Sequence, residues 1–215
     1  MTPRLVLATR NEHKLAELRA ILLPAVTGLR PEEVAASSGA PEVPETGVTF
    51  AENALLKAIA LAEHSGLPAV ADDSGLCVDV LGGAPGVFSA RWSGRHGDDL
   101  ANLQLLLAQL VDVPPEQRGA RFVCAAALAT PEGAVQVETG VMNGRLTTAP
   151  RGSGGFGYDP ILVPDAQPAR AAGRELTSAE LTAEEKNAIS HRGAAFRALA
   201  PAVARVLAGQ PIRPT

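Results

Sequence analysis

Apolar residues along this chain recur at helical spacing in some segments and form short unbroken runs in others, and the two patterns are interleaved from end to end. "RLVLA", Arg4 to Ala8, predicts a first strand, and "KLAELRAIL" a helix with Leu15, Leu18 and Leu22 on one face. "TFAE" matches a capping box, Thr49 as N-cap and Glu52 at the third helical position, and opens a helix to about His64 on which Asn53 and Lys57 share a face. "LPAVA" predicts a short strand ending at Asp72 and Asp73, with "LCVDVL" a second strand or extended turn. "DDLANLQLLLAQL" predicts a helix with Asp98 and Asp99 in its first turn and Leu100, Leu103, Leu107 and Leu110 as its apolar face. "RFVCAAALAT" and "AVQVETGVM", joined by "PEG", predict a hairpin, and "GSGGFGYDPILVP" a glycine turn leading into a strand. A second capping box, Thr182 and Glu185, opens one long helix through Ile189, Phe196, Leu199, Val203 and Val206, with Gly193 inside it and Pro201 as a kink.

Between these elements, Pro31 to Gly47 predicts a surface loop, and "GGAPGVFSARWSG" a glycine-rich loop carrying Arg91 and Trp92. Parallel-type and hairpin connections occur together. That mixture favours a single α/β or α+β domain over residues 1–215, built around one sheet.

Composition narrows the function. A chain of 215 residues that is 46% apolar can bury a substantial core, and a formal net charge of -4 gives no basic field for nonspecific nucleic-acid binding. No apolar run reaches the length of a membrane span, and "MTPRLVLATRNEHK" turns charged too early for a signal peptide, so a cytoplasmic protein with no membrane and no nucleic-acid partner is expected. Cys77 and Cys124 lie in apolar segments without CxxC spacing and predict buried free thiols; the four histidines are scattered singly and predict no zinc site. Of the 19 basic residues 16 are Arg, and the lysines are Lys14, Lys57 and Lys186. Arg can replace Lys wherever a surface charge suffices, but not where a compact ammonium must meet a phosphate at a fixed point. The three lysines are therefore candidates for that task.

Polar residues gather where apolar strands are expected to end. In "TRNEHK" a strand-to-helix turn offers free backbone N–H groups and the positive end of a helix dipole, to which Thr9, Asn11 and Lys14 add a hydroxyl, an amide and an ammonium. In "ADDSG" two carboxylates stand side by side; an Asx turn would explain them, and so would Mg²⁺ held by carboxylates and substrate phosphates, with an acid to take a proton from water. Glu45, just before the second helix, could favour the dipole or help hold a metal ion. Ser74 and His191 lack a GxSxG elbow and a marked orienting acid, which argues against a serine hydrolase, and the P-loop and Rossmann fingerprints are missing. In "FGYD", Phe156 could stack on a base and Asp159 accept from a ring N–H, while in "SHRG" His191 and Arg192 could donate to a purine 6-keto oxygen. Core packing would account equally for the rings, and a solvated helix face for the His-Arg pair.

"ATRNEHK", "ETGVTFAENALLKA", "ADDSGLCVDVLGGAPGVFSARWSG", "GGFGYDPI" and "ELTAEEKNAISHRG", in this order, resemble the inosine/xanthosine triphosphate pyrophosphatases, or Ham1-like proteins, from the first strand to about residue 197. The resemblance implies a homodimer whose subunit has a long twisted mixed sheet with flanking helices, its two lobes set around a central cleft. It implies a Mg²⁺-dependent hydrolase that converts ITP, dITP and XTP to the monophosphate and pyrophosphate, clearing deaminated purines from the nucleotide pool. Carried over by motif, Thr9, Arg10, Asn11, Glu12, His13 and Lys14 bind the triphosphate, and Asn53 and Lys57 lie near the phosphates. Asp73 is the proton acceptor and, with Glu45, a metal ligand; Ser74, Phe156, Gly157, Tyr158, Asp159, Lys186, His191 and Arg192 contact substrate. Arg10 stands where many members have Gly, and Pro44 precedes Glu45 where related sequences often carry a second acid. Two rivals remain open: a nucleotide-binding regulator without turnover, and a house-cleaning pyrophosphatase for other nucleotides.

Overall fold

A computed structural model describes residues 4–9, 12–36, 39–40 and 42–212, apart from the side chains of Glu12, His13, Lys14, Ala16 and Glu17. Six strands form one mixed sheet in the order β2-β1-β3-β4-β5-β6: β1 (Leu5–Leu7), β2 (Val34–Ala36), β3 (Ala69–Val78), β4 (Gly119–Ala129), β5 (Val135–Leu146) and β6 (Leu162–Pro164). β1 runs parallel to both β2 and β3, whereas β6 closes antiparallel on β5. The helices are α1 (Glu12–Ala25), α2 (Phe50–Ser65), α3 (Asp99–Gln109), α4 (Ala183–Ile189) and α5 (His191–Leu207). The mixed α/β architecture expected from the pattern is therefore the one observed.

The chain divides into two compact units, and the divisions fall within β3, β4 and β5 and after the first residue of α5. The first comprises Met1–Asp73, Cys124–Gly140 and Arg192–Thr215. Here β1 and this unit's parts of β3 and β4 are buried on both faces, and alternation sorts their residues. Leu5, Leu7, Val70, Cys124, Ala126 and Leu128 pack with Leu18 and Leu22 of α1 and Phe196, Leu199 and Val203 of α5. Val6, Ala69, Ala71, Ala125, Ala127 and Ala129 pack on the other side with Ala54, Ala58, Leu61 and Ala62 of α2. Continuous apolar runs such as "CAAALA" reflect this two-sided burial.

The second unit, Ser74–Val123 and Val141–His191, has its own core of Leu76, Val78, Leu103, Leu106, Leu110, Phe122, Met142, Tyr158, Ile161 and Leu162. Arg118, only 3% exposed, is satisfied inside it by the carbonyls of Val113, Leu110 and Thr147. Cys77 and Cys124 are buried thiols outside any disulfide, as expected.

Several boundaries differ from expectation for identifiable reasons. The loop expected over Pro31 to Gly47 contains the edge strand β2. β3 does not stop at Asp72; it runs through "DDSG" to Val78 because both acids find cationic partners, which outweighs their poor strand propensity. In α3 the buried leucines are Leu103, Leu106 and Leu110, while Leu100 is 65% exposed. The rotation is set by buried Asn102, whose Oδ1 accepts from Ser93 N–H at 2.7 Å and whose Nδ2 donates to Ala90 O at 3.2 Å. The single C-terminal helix is two, α4 and α5, because buried Ser190 is extended at ψ 149°. α5 then continues through Pro201.

Candidate active site

In the first unit the site is built from the start of α2 outward. Thr49 caps the helix by accepting Glu52 N–H at 3.1 Å, and Glu52 returns the bond by accepting Thr49 N–H at 3.2 Å and Val48 N–H at 2.6 Å. One face of the first two turns then presents Asn53 and Lys57 to β3. Asn53 Nδ2 donates to Asp73 Oδ2 at 3.2 Å, and Lys57 Nζ donates to Asp73 Oδ1 at 3.3 Å and to Glu45 Oε1 at 2.8 Å. Four of the residues named from the sequence, Glu45, Asn53, Lys57 and Asp73, are thus one connected group.

The electrostatics of the group follow from its partial burial. Desolvation pushes the Asp73 carboxyl above its ordinary range; the Lys57 ammonium and Asn53 pull it back in part, and the Glu45 charge adds to the rise. Burial acts to lower Lys57, but the charges of Asp73, Asp72 and Glu45 outweigh it and hold the ammonium above its usual value. Lys57 therefore stays charged, and Asp73 is a carboxylate made more basic than one in water. Such a group can accept a proton.

Asp72 has a different fate. Alternation in β3 sends it to the opposite face of the sheet, where Arg192 Nε donates to its Oδ2 at 3.1 Å and Cys124 Sγ lies 4.0 Å from the same oxygen. The side chains of Arg192 and Asp72 are 2% and 6% exposed. Adjacent carboxylates are tolerated because each faces its own cation. Arg192, expected as a substrate donor, holds this buried acid; the sequence named Asp72 as half of a pair but carried no signal for its partner.

The second unit holds another connected group. Asp159, 2% exposed, accepts Phe156 N–H at 2.9 Å and Lys186 Nζ at 2.6 Å through Oδ2. The Lys186 ammonium also lies 5.2 Å from the centre of the Phe156 ring, which is 44% exposed. The turn is fastened on both sides: Gly157 N–H donates to Asp99 Oδ2 and Tyr158 Oη to Ser89 O, both at 2.9 Å. Burial, with the Asp99 charge, keeps the Tyr158 phenol far above its ordinary pKa, so it acts only as a neutral donor. Gly155, at φ +73°, has no room for a Cβ, which would lie 2.1 Å from Asp159 Oδ2. His191 is buried and stacks on Phe122 at 4.9 Å between ring centres. The sequence offered no sign of the fastening residues Asp99 and Ser89, which are distant in the chain from the turn they hold.

Thr9 is buried just after β1, and Ser74 is half-buried in β3. Arg10 and Asn11 lie outside the described residues, as do the side chains of Glu12, His13 and Lys14. Among the described residues no three His, Cys, Asp or Glu side chains gather into a metal cage. Two carboxylates sharing one ammonium nevertheless fit Mg²⁺, a hard cation commonly held by one or two carboxylates with phosphates and water completing its shell.

The first unit thus presents a partly buried carboxylate beside a lysine, and the second an exposed ring beside an ammonium. The model of the Ham1 family matches residues 5–202, and the chain belongs to that family. It is 64% identical to a Streptomyces coelicolor protein named dITP/XTP pyrophosphatase, over 95% of this chain and 98% of that one. Among solved structures, the nucleoside-triphosphatase, or dITP/XTP pyrophosphatase, from Mycobacterium abscessus is 52% identical with a TM-score of 0.71, covering 94% of this chain and 100% of that one. A HAM1 protein from Coxiella burnetii is 39% identical with a TM-score of 0.78, covering 94% and 98% of the two chains.

Proposed function

We propose that this protein is a nucleoside triphosphate pyrophosphatase that hydrolyses the noncanonical purine nucleotides ITP, dITP and XTP to the monophosphate and pyrophosphate with Mg²⁺. The observation that carries the reading is the Asp73 carboxylate, its two oxygens engaged by Asn53 and Lys57, with Glu45 on the same ammonium. The relatives named dITP/XTP pyrophosphatase support the substrate class.

In this account Asp73 takes the proton of the water that attacks the α-phosphorus, and its raised basicity suits that task. Lys57 offsets the charge that develops on the phosphoryl oxygens, where a fixed donor acts most strongly. Mg²⁺, held by Glu45 and Asp73, would neutralise the triphosphate. Thr9 to Lys14 and Ser74 bind phosphate oxygens. A purine ring stacks on Phe156, beside the Lys186 ammonium 5.2 Å from the ring centre, and donors from His191 and Arg192 favour a 6-keto edge over a 6-amino edge. A site built to donate to one edge leaves a 6-amino group mispaired, which discriminates by several powers of ten.

Replacing Asp73 by Asn tests the mechanism. Nucleotide binding should persist while turnover falls by roughly a hundredfold or more, the scale of losing a general base. Unchanged turnover would remove Asp73 from the role.

A further inference from the structure

Asn53 is completely buried, and its carboxamide is used at both ends. Oδ1 accepts Gly47 N–H at 2.8 Å, and Nδ2 donates to Asp73 Oδ2 at 3.2 Å. The neighbours fix which end is which, because a backbone N–H must be accepted from and a carboxylate donated to. Gly47 is fitted to the same contact: a Cβ there would lie 2.7 Å from Asn53 Oδ1 and 2.6 Å from Glu52 Cβ. The loop can therefore approach the helix only with glycine at this position. Glu45 stands two residues earlier on that loop, and Lys57, one turn further along α2, bonds both Glu45 and Asp73.

We propose that Asn53 is a positioning residue for the hydrolysis and not a phosphate ligand. It holds the Asp73 carboxylate by one oxygen while Lys57 holds the other, which fixes the carboxylate plane, and through Gly47 it sets the loop that carries Glu45. The inference rests on the hydrolase reading above. A carboxylate held at one oxygen alone is free to turn, and misplacement of a reacting group by about 1 Å can cost on the order of a hundredfold in rate.

Asn53→Ala and Gly47→Ala, each compared with the parent protein, test the proposal. The readouts are pyrophosphate release from XTP, resolved into kcat and KM, calorimetric affinity for an inosine triphosphate analogue with an α,β-imido bridge in Mg²⁺, and the melting temperature. Asn53→Ala should lower kcat by roughly 10- to 100-fold, while KM and analogue affinity move by less than about threefold, since no ground-state contact is lost. Gly47→Ala, which keeps the amide but pushes the loop from it, should show the same pattern to a smaller degree. A tenfold loss of analogue affinity with kcat retained would make Asn53 a phosphate ligand and overturn the proposal, as would unchanged kcat and KM with only a lowered melting temperature. Asn53→Ser repeats the comparison should the alanine variant fail to fold. Lack of turnover in the parent protein sinks the hydrolase reading and the proposal together; the other two outcomes sink the proposal alone.

Discussion

The carboxylates of Asp72 and Asp73 leave β3 on opposite faces, and each meets a cation from a different helix, Arg192 of α5 and Lys57 of α2. The two ion pairs differ in consequence. The Asp72–Arg192 pair is almost fully desolvated, so removing one partner strands a buried charge: Asp72→Ala should destabilise the fold by about 3–5 kcal/mol, read from urea unfolding. A loss below about 1 kcal/mol would mean that the guanidinium finds other compensation. Lys57, by contrast, is 20% exposed and shared between two acids. Lys57→Met should leave a folded protein whose kcat/KM for XTP falls by roughly a hundredfold or more, the scale of deleting one fixed donor to a developing charge. Turnover within a few-fold of the parent would remove Lys57 from the chemistry.

Single helices show how local chemistry becomes positional accuracy. α2 begins where its capping box was legible, and because Thr49 fixes the first turn, Asn53 and Lys57 are aimed at β3. α4 is only seven residues long and depends more heavily on its cap. Glu185 accepts Thr182 N–H at 2.9 Å and two bonds from Arg170, at 2.6 and 2.7 Å. The Arg170 guanidinium first, and the Thr182 N–H next, pull the Glu185 carboxyl from 4.5 down to about 2. A lowered carboxyl contributes stability that is complete above its unfolded value and fades as pH falls from 4.5 towards 2. Glu185→Gln should therefore melt below the parent at neutral pH, and the gap should close across that interval; a gap independent of pH would contradict the assignment. The break at Ser190 was not legible, since Thr182 to Leu207 keeps helical spacing throughout and Ser190 is stopped by its buried surroundings.

Over the whole chain, the features that the sequence displayed were those with local causes: capped helix starts, a Pro-Gly hairpin, alternation in strands, and clusters of polar residues in fixed order. Features that need partners far away were hidden. Asp72 finds its cation 120 residues later, Gly157 its acceptor 58 residues earlier, and the strand through "DDSG" exists because of such pairings. Membership of the Ham1 family, matched over residues 5–202, agrees with the resemblance carried by the five motif blocks. No helix among the described residues is long and apolar enough to cross a membrane. That this chain is a Mg²⁺-dependent hydrolase whose site favours a 6-keto over a 6-amino purine can be tested by pyrophosphate release from ITP, XTP, ATP and GTP, with Mg²⁺ and with a chelator. Release should need the metal and favour ITP and XTP over the 6-amino nucleotide ATP by roughly a hundredfold or more. Equal release from all four nucleotides would contradict the base reading, and release unaffected by the chelator would contradict the metal.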